Sequence, residues 1–213
     1  KFFMDSNPLS DSLPKAGKSE IYALFALPVG VYSCPNFATV KKEIFKWIET
    51  QDIRPEHDRL AITHNVSQIG KRNTILEDNA SVADFLLKSC KDYNEGAYYY
   101  DLDFAISDAY LELASKGALY APHEHSNCIY SATLLINYQE GHSPLKFRRN
   151  VAGSYYPVMQ FPNKDYTAFN MTEATVPMKE GDLIIYPSSM THGYEGNPYD
   201  DRVSMTVNFI PDK

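Results

Sequence analysis

Two histidines, His123 and His125, stand two apart in Pro122-His-Glu-His-Ser-Asn127, just before a long apolar run rich in β-formers. On a strand, residues i and i+2 project from one face, so this spacing predicts two imidazoles side by side. A third, His192, follows the apolar run Asp182-Leu-Ile-Ile-Tyr-Pro-Ser188. Two facing histidines plus a distant third is a donor set suited to metal chemistry. Downstream, Arg202-Val-Ser-Met-Thr-Val-Asn-Phe-Ile210 alternates strictly. It places Arg202, Ser204, Thr206 and Asn208 on one face and Val203, Met205, Val207 and Phe209 on the other. If the polar face lines an interior, Arg202 needs an anionic partner there. The plain alternatives are structural histidines and a surface pair of Arg202 with Asp200 or Asp201, worth at most ~1 kcal/mol. A His-x-His pair alone is more often structural than metal-binding; His192 and Arg202 in the right downstream window favour the metal site.

The elements that must position these residues can be read from periodicity. Residues 1–19 are polar and proline-broken, which predicts a loose arm. Glu20 to Ser33 suits one or two strands broken at Pro28. Val40, Ile44, Phe45, Trp47 and Ile48 recur at helical spacing after Asn36, and Val82, Phe85, Leu86 and Cys90 define a second helix over 81–94. The stretch 52–78, which holds the isolated His57 and His64, reads as irregular. Strands are predicted over 101–113, 117–138, 143–147, 175–178, 182–187 and 202–210, with turns at Lys116-Gly117, Glu140-Gly141, Glu180-Gly-Asp182 and Gly196-Asn-Pro198. Two helices followed by six strands predict a mainly β sandwich or barrel with N-terminal supporting helices. We expect a single domain over 20–213, with a helical buttress at about 36–97 and a β core at about 98–211. Asn150 to Thr172, rich in Tyr, Phe, Pro and Asn, is a candidate lid over the site.

Composition sets the surrounding limits. The 213 residues carry a formal net charge of -7, so a phosphate backbone is a poor partner for the chain as a whole. Three widely spaced cysteines, Cys34, Cys90 and Cys128, build neither a disulfide framework nor a zinc ribbon, which suggests a reducing compartment. Cys90 and Cys128 read as core residues. The apolar run Ile21 to Tyr32 is too short to span a bilayer, and the first residues lack a signal core. A cytoplasmic location is expected, with no nucleic-acid or membrane partner. The basic run Lys146-Phe-Arg-Arg149 reads as a solvated edge.

The pattern resembles a known family. His123-x-His125 with Ser126 and Asn127, then Gly181-Asp-Leu-Ile-Ile-Tyr-Pro-Ser-Ser-x-x-His192-Gly, then Arg202-x-Ser-x-x-x-Asn208-Phe, is similar to iron(II)/2-oxoglutarate oxygenases of marine phages and bacteria, within the prolyl-hydroxylase-like superfamily. Ile106-Ser-Asp-Ala-Tyr-Leu111 and Lys116-Gly117 share the resemblance, which covers roughly residues 100–210. It implies a double-stranded β-helix, or jelly roll, and a hydroxylase acting on a C–H bond of a peptide, amino acid or small metabolite. Fe(II), 2-oxoglutarate and dioxygen are the implied partners. His123 and His192 would be iron ligands; Arg202 with Ser204 would grip the distal carboxylate of 2-oxoglutarate, with Asn127 and Asn208 assigned to the same cosubstrate site. The usual motif is His-x-Asp, and His125 replaces the aspartate. Three neutral imidazoles leave the metal one unit more positive than the usual two-histidine, one-carboxylate set. Two alternatives therefore stand beside the hydroxylase: a cupin-like three-histidine dioxygenase without a 2-oxo acid, and a non-catalytic jelly-roll module.

Overall fold

The computed structural model describes residues 26–51, 63–69, 74–149, 162 and 164–212. The expected arm at 1–19 and most of the candidate lid lie outside them. In chain order the elements are β1 (Gly30–Ser33), α1 (Phe37–Glu49), β2 (Thr63–Ile69), α2 (Thr74–Glu77), α3 (Ala80–Ala97), β3 (Asp103–His123), β4 (Tyr130–Asn137), β5 (Lys146–Arg148), β6 (Glu173–Ala174), β7 (Asp182–Pro187), β8 (Thr191–Tyr194) and β9 (Arg202–Asp212). All strand pairings are antiparallel, in one nine-stranded sheet of order β1-β7-β4-β9-β3-β8-β5-β6, with β2 added beside β3. The sheet curls into a half-barrel with the helices on one side, the expected jelly roll.

The helices form where the apolar spacing predicts, and their buried stripes pack on one face of the sheet. Val40, Ile44, Trp47 and Ile48 of α1 and Val82, Leu86, Cys90 and Tyr93 of α3 share one core with Phe104, Ala109 and Leu111 of β3 and Val203, Met205, Val207 and Phe209 of β9. Trp47 is a core residue whose indole N–H donates to Asp78. Fully burying such side chains contributes about 1.5–3 kcal/mol each. The apolar face of β9 is thereby committed to the helices, and its polar face must look into the barrel. Both faces are buried, Arg202, Ser204 and Thr206 included. A surface ion pair for Arg202 is therefore excluded.

Four readings are corrected. The expected turn at Lys116-Gly117 is instead a bulge inside one long strand: β3 pairs with β9 through Ala114 and then with β8 from Tyr120. Gly117 takes φ 79°, its amide donates to Asn197 O at 2.6 Å, and the Asn197 amide returns a bond to Ala118 O. A glycine can hold that left-handed conformation within a strand, so the same residue that signals a turn can mark a strand's change of partner. The stretch 52–78 is not wholly irregular, because β2 and α2 form within it. β2 has little apolar alternation of its own and gains its order by pairing with β3. The predicted strand over 117–138 is interrupted: β3 ends at His123 and β4 starts at Tyr130, with Asn127 in a left-handed turn between them. The strand expected at 175–178 is displaced to the two-residue β6.

Among the described residues, no helix is long and apolar enough to cross a membrane. The basic edge on β5 is solvated and locally paired, Lys146 and Arg148 with Glu173, and Arg148 with Glu195.

Candidate metal centre

His123 and His192 are register partners across β3 and β8. His125 reaches the same point from the loop after β3, not from the strand. Its amide donates to Ser188 O at 3.0 Å and the Ser188 amide donates to Ile129 O at 3.1 Å, which ties the loop to the end of β7. The i, i+2 argument thus names the right pair for a reason that only half applies.

Each imidazole is held through the nitrogen remote from the centre. Nδ1–H of His123 donates to Ala121 O and that of His192 to Met190 O, both at 2.8 Å. His125 Nδ1–H donates to Asn208 Oδ1 at 2.6 Å, with Ser131 Oγ 3.0 Å away. Ser131 Oγ–H donates to the same amide oxygen at 2.9 Å and meets Ser188 Oγ at 2.9 Å. Carbonyl oxygens only accept, so these bonds fix the proton on Nδ1 and leave the Nε2 lone pairs free. Those lone pairs converge: the ligand atoms of the three histidines lie within 4.8 Å of one another, and Nε2 of His123 and His125 are 3.1 Å apart. Without a cation or proton between them, facing lone pairs repel. Two nitrogens each ~2.1 Å from a metal and at right angles stand roughly 3.0 Å apart, so the spacing fits adjacent ligands of one ion.

Burial favours the neutral, metal-binding form. It pushes all three histidines below the ordinary range, and His192, only 3% exposed, down to about 3. The wall around them is aromatic: Tyr120 stacks on His123 at 4.4 Å between centroids, and Tyr186 lies 4.6 Å from His192. No carboxylate joins the cluster among the described residues. Glu124 is exposed and accepts from Thr191 Oγ1 at 2.7 Å. The Asp108 charge opposes the effect of burial on His125. Cys128, expected in the core, is half-buried with its sulfur 3.8 Å from Ser131 Oγ.

Deeper in the barrel lies a second polar group. Arg202 is 0% exposed and Glu112, on β3, is 2% exposed. Ser204 links them: Arg202 Nη1 donates to Ser204 Oγ at 3.1 Å, and Ser204 Oγ–H donates to Glu112 Oε2 at 3.2 Å. Thr206 Oγ1–H donates to Glu112 Oε1 at 3.0 Å, and Arg202 Nε donates to Ser143 O at 3.2 Å. The guanidinium lies 4.0 Å from the centre of the Tyr194 ring. Arg202 Nη2 and the Tyr194 hydroxyl are buried with no hydrogen-bond partner among the described residues. Arg202 and Ser204 therefore stand together, while Asn208 sits against His125 and Asn127 is exposed in its turn. Sequence reasoning missed Glu112. Its signal was a lone carboxylate within the apolar Ala109-Tyr-Leu-Glu-Leu-Ala114, and only the register with Ser204 shows what it faces.

Residues 109–208 match the family described as "Putative 2OG-Fe(II) oxygenase". A comparison with curated protein sequences finds no match. Among solved structures, the chain is similar to a Pseudomonas putida prolyl-4-hydroxylase, at 15% identity and TM-score 0.59, over 87% of this chain and 93% of that one. It is similar to HygX from Streptomyces hygroscopicus with nickel and 2-oxoglutarate bound, at 12% identity and TM-score 0.59, over 86% and 82% of the two chains. A prolyl hydroxylase from Trichoplax adhaerens, in complex with a hypoxia inducible factor peptide fragment, aligns at 10% identity and TM-score 0.58, over 85% and 83%. At these identities the structural likeness is one of fold.

Proposed function

We propose that this chain, whose residues 109–208 match the 2OG-Fe(II) oxygenase family, is a non-haem iron dioxygenase whose metal is held by three neutral histidines, His123, His125 and His192. The observation that carries this reading is the convergence of three Nε2 atoms whose Nδ1 partners are all engaged. Bound iron would supply the redox chemistry that activates dioxygen. The chain's own residues orient the imidazoles through Ala121, Met190 and Asn208, keep them unprotonated by burial, and shield one side of the site with Tyr120 and Tyr186. The donor set favours the cupin-like version that needs no 2-oxo acid. It lacks the usual carboxylate, and Arg202 already has an internal counter-charge in Glu112.

A second reading, a 2-oxoglutarate-dependent hydroxylase of a peptide, amino acid or small metabolite, is favoured by one specific observation. Arg202 Nη2 and the Tyr194 hydroxyl are two buried donors without partners among the described residues, a pairing suited to a carboxylate. Arg202 with Ser204 would then hold the distal end of the cosubstrate.

Thermal unfolding with Fe(II) or Mn(II), anaerobically, with and without 2-oxoglutarate, separates these readings. Metal at 100 times its dissociation constant should add ~2.7 kcal/mol of stability. A metal shift with no further shift from 2-oxoglutarate supports the three-histidine dioxygenase, and an added 2-oxoglutarate shift supports the hydroxylase. No metal shift would sink both and leave a non-catalytic jelly roll.

A further inference from the structure

We propose that Glu112 is the resting counter-ion of Arg202 and a proton-linked gate on carboxylate binding in the barrel, so that a ligand carboxylate reaches Arg202 only as Glu112 takes up a proton. The inference rests on the second reading only in needing a carboxylate at Arg202, and holds equally if that carboxylate belongs to the substrate.

Among the described residues, the pocket holds one fixed cation, Arg202, and one carboxylate, Glu112, both buried. Arg202 engages Ser143 O and Ser204 Oγ and keeps Nη2 unpartnered among the described residues, so the N–H groups of Nη2 are left for a ligand. Glu112 does not bond the guanidinium directly; Ser204 stands between them. The other titratable groups facing Glu112 are tyrosines: Tyr110 and Tyr120 on β3, Tyr186 on β7 and Tyr194 on β8. Beside it in β2 the register partner is the neutral Gln68. Arg202 is thus the cation that offsets Glu112 in this cage.

A second carboxylate on Arg202 would place two anions on one buried cation. Like charges sharing such a site cannot both stay ionised at low cost, and the weaker acid takes a proton. Glu112 is the group prepared for it. Burial already pushes its carboxyl above the ordinary range, with the Arg202 charge the largest opposing influence. The proton comes from solvent. Ser204 and Thr206 now donate to the carboxylate, and the Thr206 hydroxyl can turn its hydrogen to the Tyr110 hydroxyl and accept from the protonated acid, so the added proton finds a partner.

The test is calorimetric binding of 2-oxoglutarate, and separately of succinate, to the manganese-loaded full chain between pH 6 and 8.5, in two buffers of different ionisation enthalpy. 2-oxoglutarate stays ionised over this range, and succinate, whose second carboxyl titrates near its lower end, is read from pH 7 upward. The wild type should take up as much as about one proton per ligand, and its affinity should fall by as much as ~10-fold per pH unit where Glu112 is charged. Glu112→Gln should bind with no proton exchange and an affinity independent of pH. Uptake with 2-oxoglutarate alone assigns the site to a 2-oxo acid, and uptake with both assigns it to carboxylates generally; each supports the proposal. Binding by the wild type without proton uptake overturns it, and this needs no variant to fold. If neither ligand binds, the proposal falls together with the hydroxylase reading, and the three-histidine dioxygenase is left standing.

Discussion

His123 and His192 face each other across β3 and β8 as direct register partners, next to a glycine. Their alignment depends on how closely the two strands approach. A Cβ at Gly193 would overlap the carbonyl oxygen of Tyr120 and press on Ala121 at 3.0 Å. These are backbone atoms and cannot swing aside, so the strands would have to part.

Gly193→Ala should therefore weaken metal binding while leaving every ligand in the sequence. Overpacking of this kind typically costs about 1–3 kcal/mol. Urea denaturation and a competitive metal titration measure the two effects together. Loss of stability with unchanged metal affinity would show that β8 can shift without moving His192.

Asn208 accepts from His125 and Ser131 at once. Asn208→Ala removes the bond that orients His125, and metal affinity should fall roughly 10–100-fold. Asn208→Asp keeps an accepting oxygen in place and should hold affinity near or above that of the wild type. Equal losses in both variants, read by competition with a chromophoric chelator, would instead assign Asn208 a packing role.

Glu112 should leave a signature in the pH dependence of stability. Its folded carboxyl is raised above the ordinary range by burial. The native state therefore binds that proton more tightly than the unfolded chain does. Stability is fully present below the unfolded value and is lost as pH rises through the folded one, by up to ~1.4 kcal/mol per pH unit within that window. Urea midpoints from pH 4 to 8 should show this decline in the wild type and lose that component in Glu112→Gln. Parallel profiles for the two proteins would contradict it.

Cys90 sits fully buried on α3, and burial pushes its thiol up to about 12. The thiolate is the reactive form, so this residue should resist a thiol reagent in the native protein and react only on unfolding. Timed thiol titration with and without denaturant tests this. Rapid native labelling of a Cys90-only variant would mean that α3 opens locally.

Much of this was legible in the sequence. Helical spacing located α1 and the centre of α3, and alternation in Arg202-Val-Ser-Met-Thr-Val-Asn-Phe sorted β9 into an apolar and a polar face. Those patterns survive because each face needs one kind of environment, whatever the rest of the chain does. What tertiary structure alone decided is which surfaces meet. Register set His123 opposite His192, while a loop tied to Ser188 brought in His125. The bulge at Gly117 turned a turn signal into a strand's change of partner. Register also enclosed Glu112 with Ser204, and so gave Arg202 a counter-charge within the barrel. Local sequence encodes the period of an element, but pairing across a sheet joins residues far apart in the chain, and their mutual burial exists only once the barrel has closed.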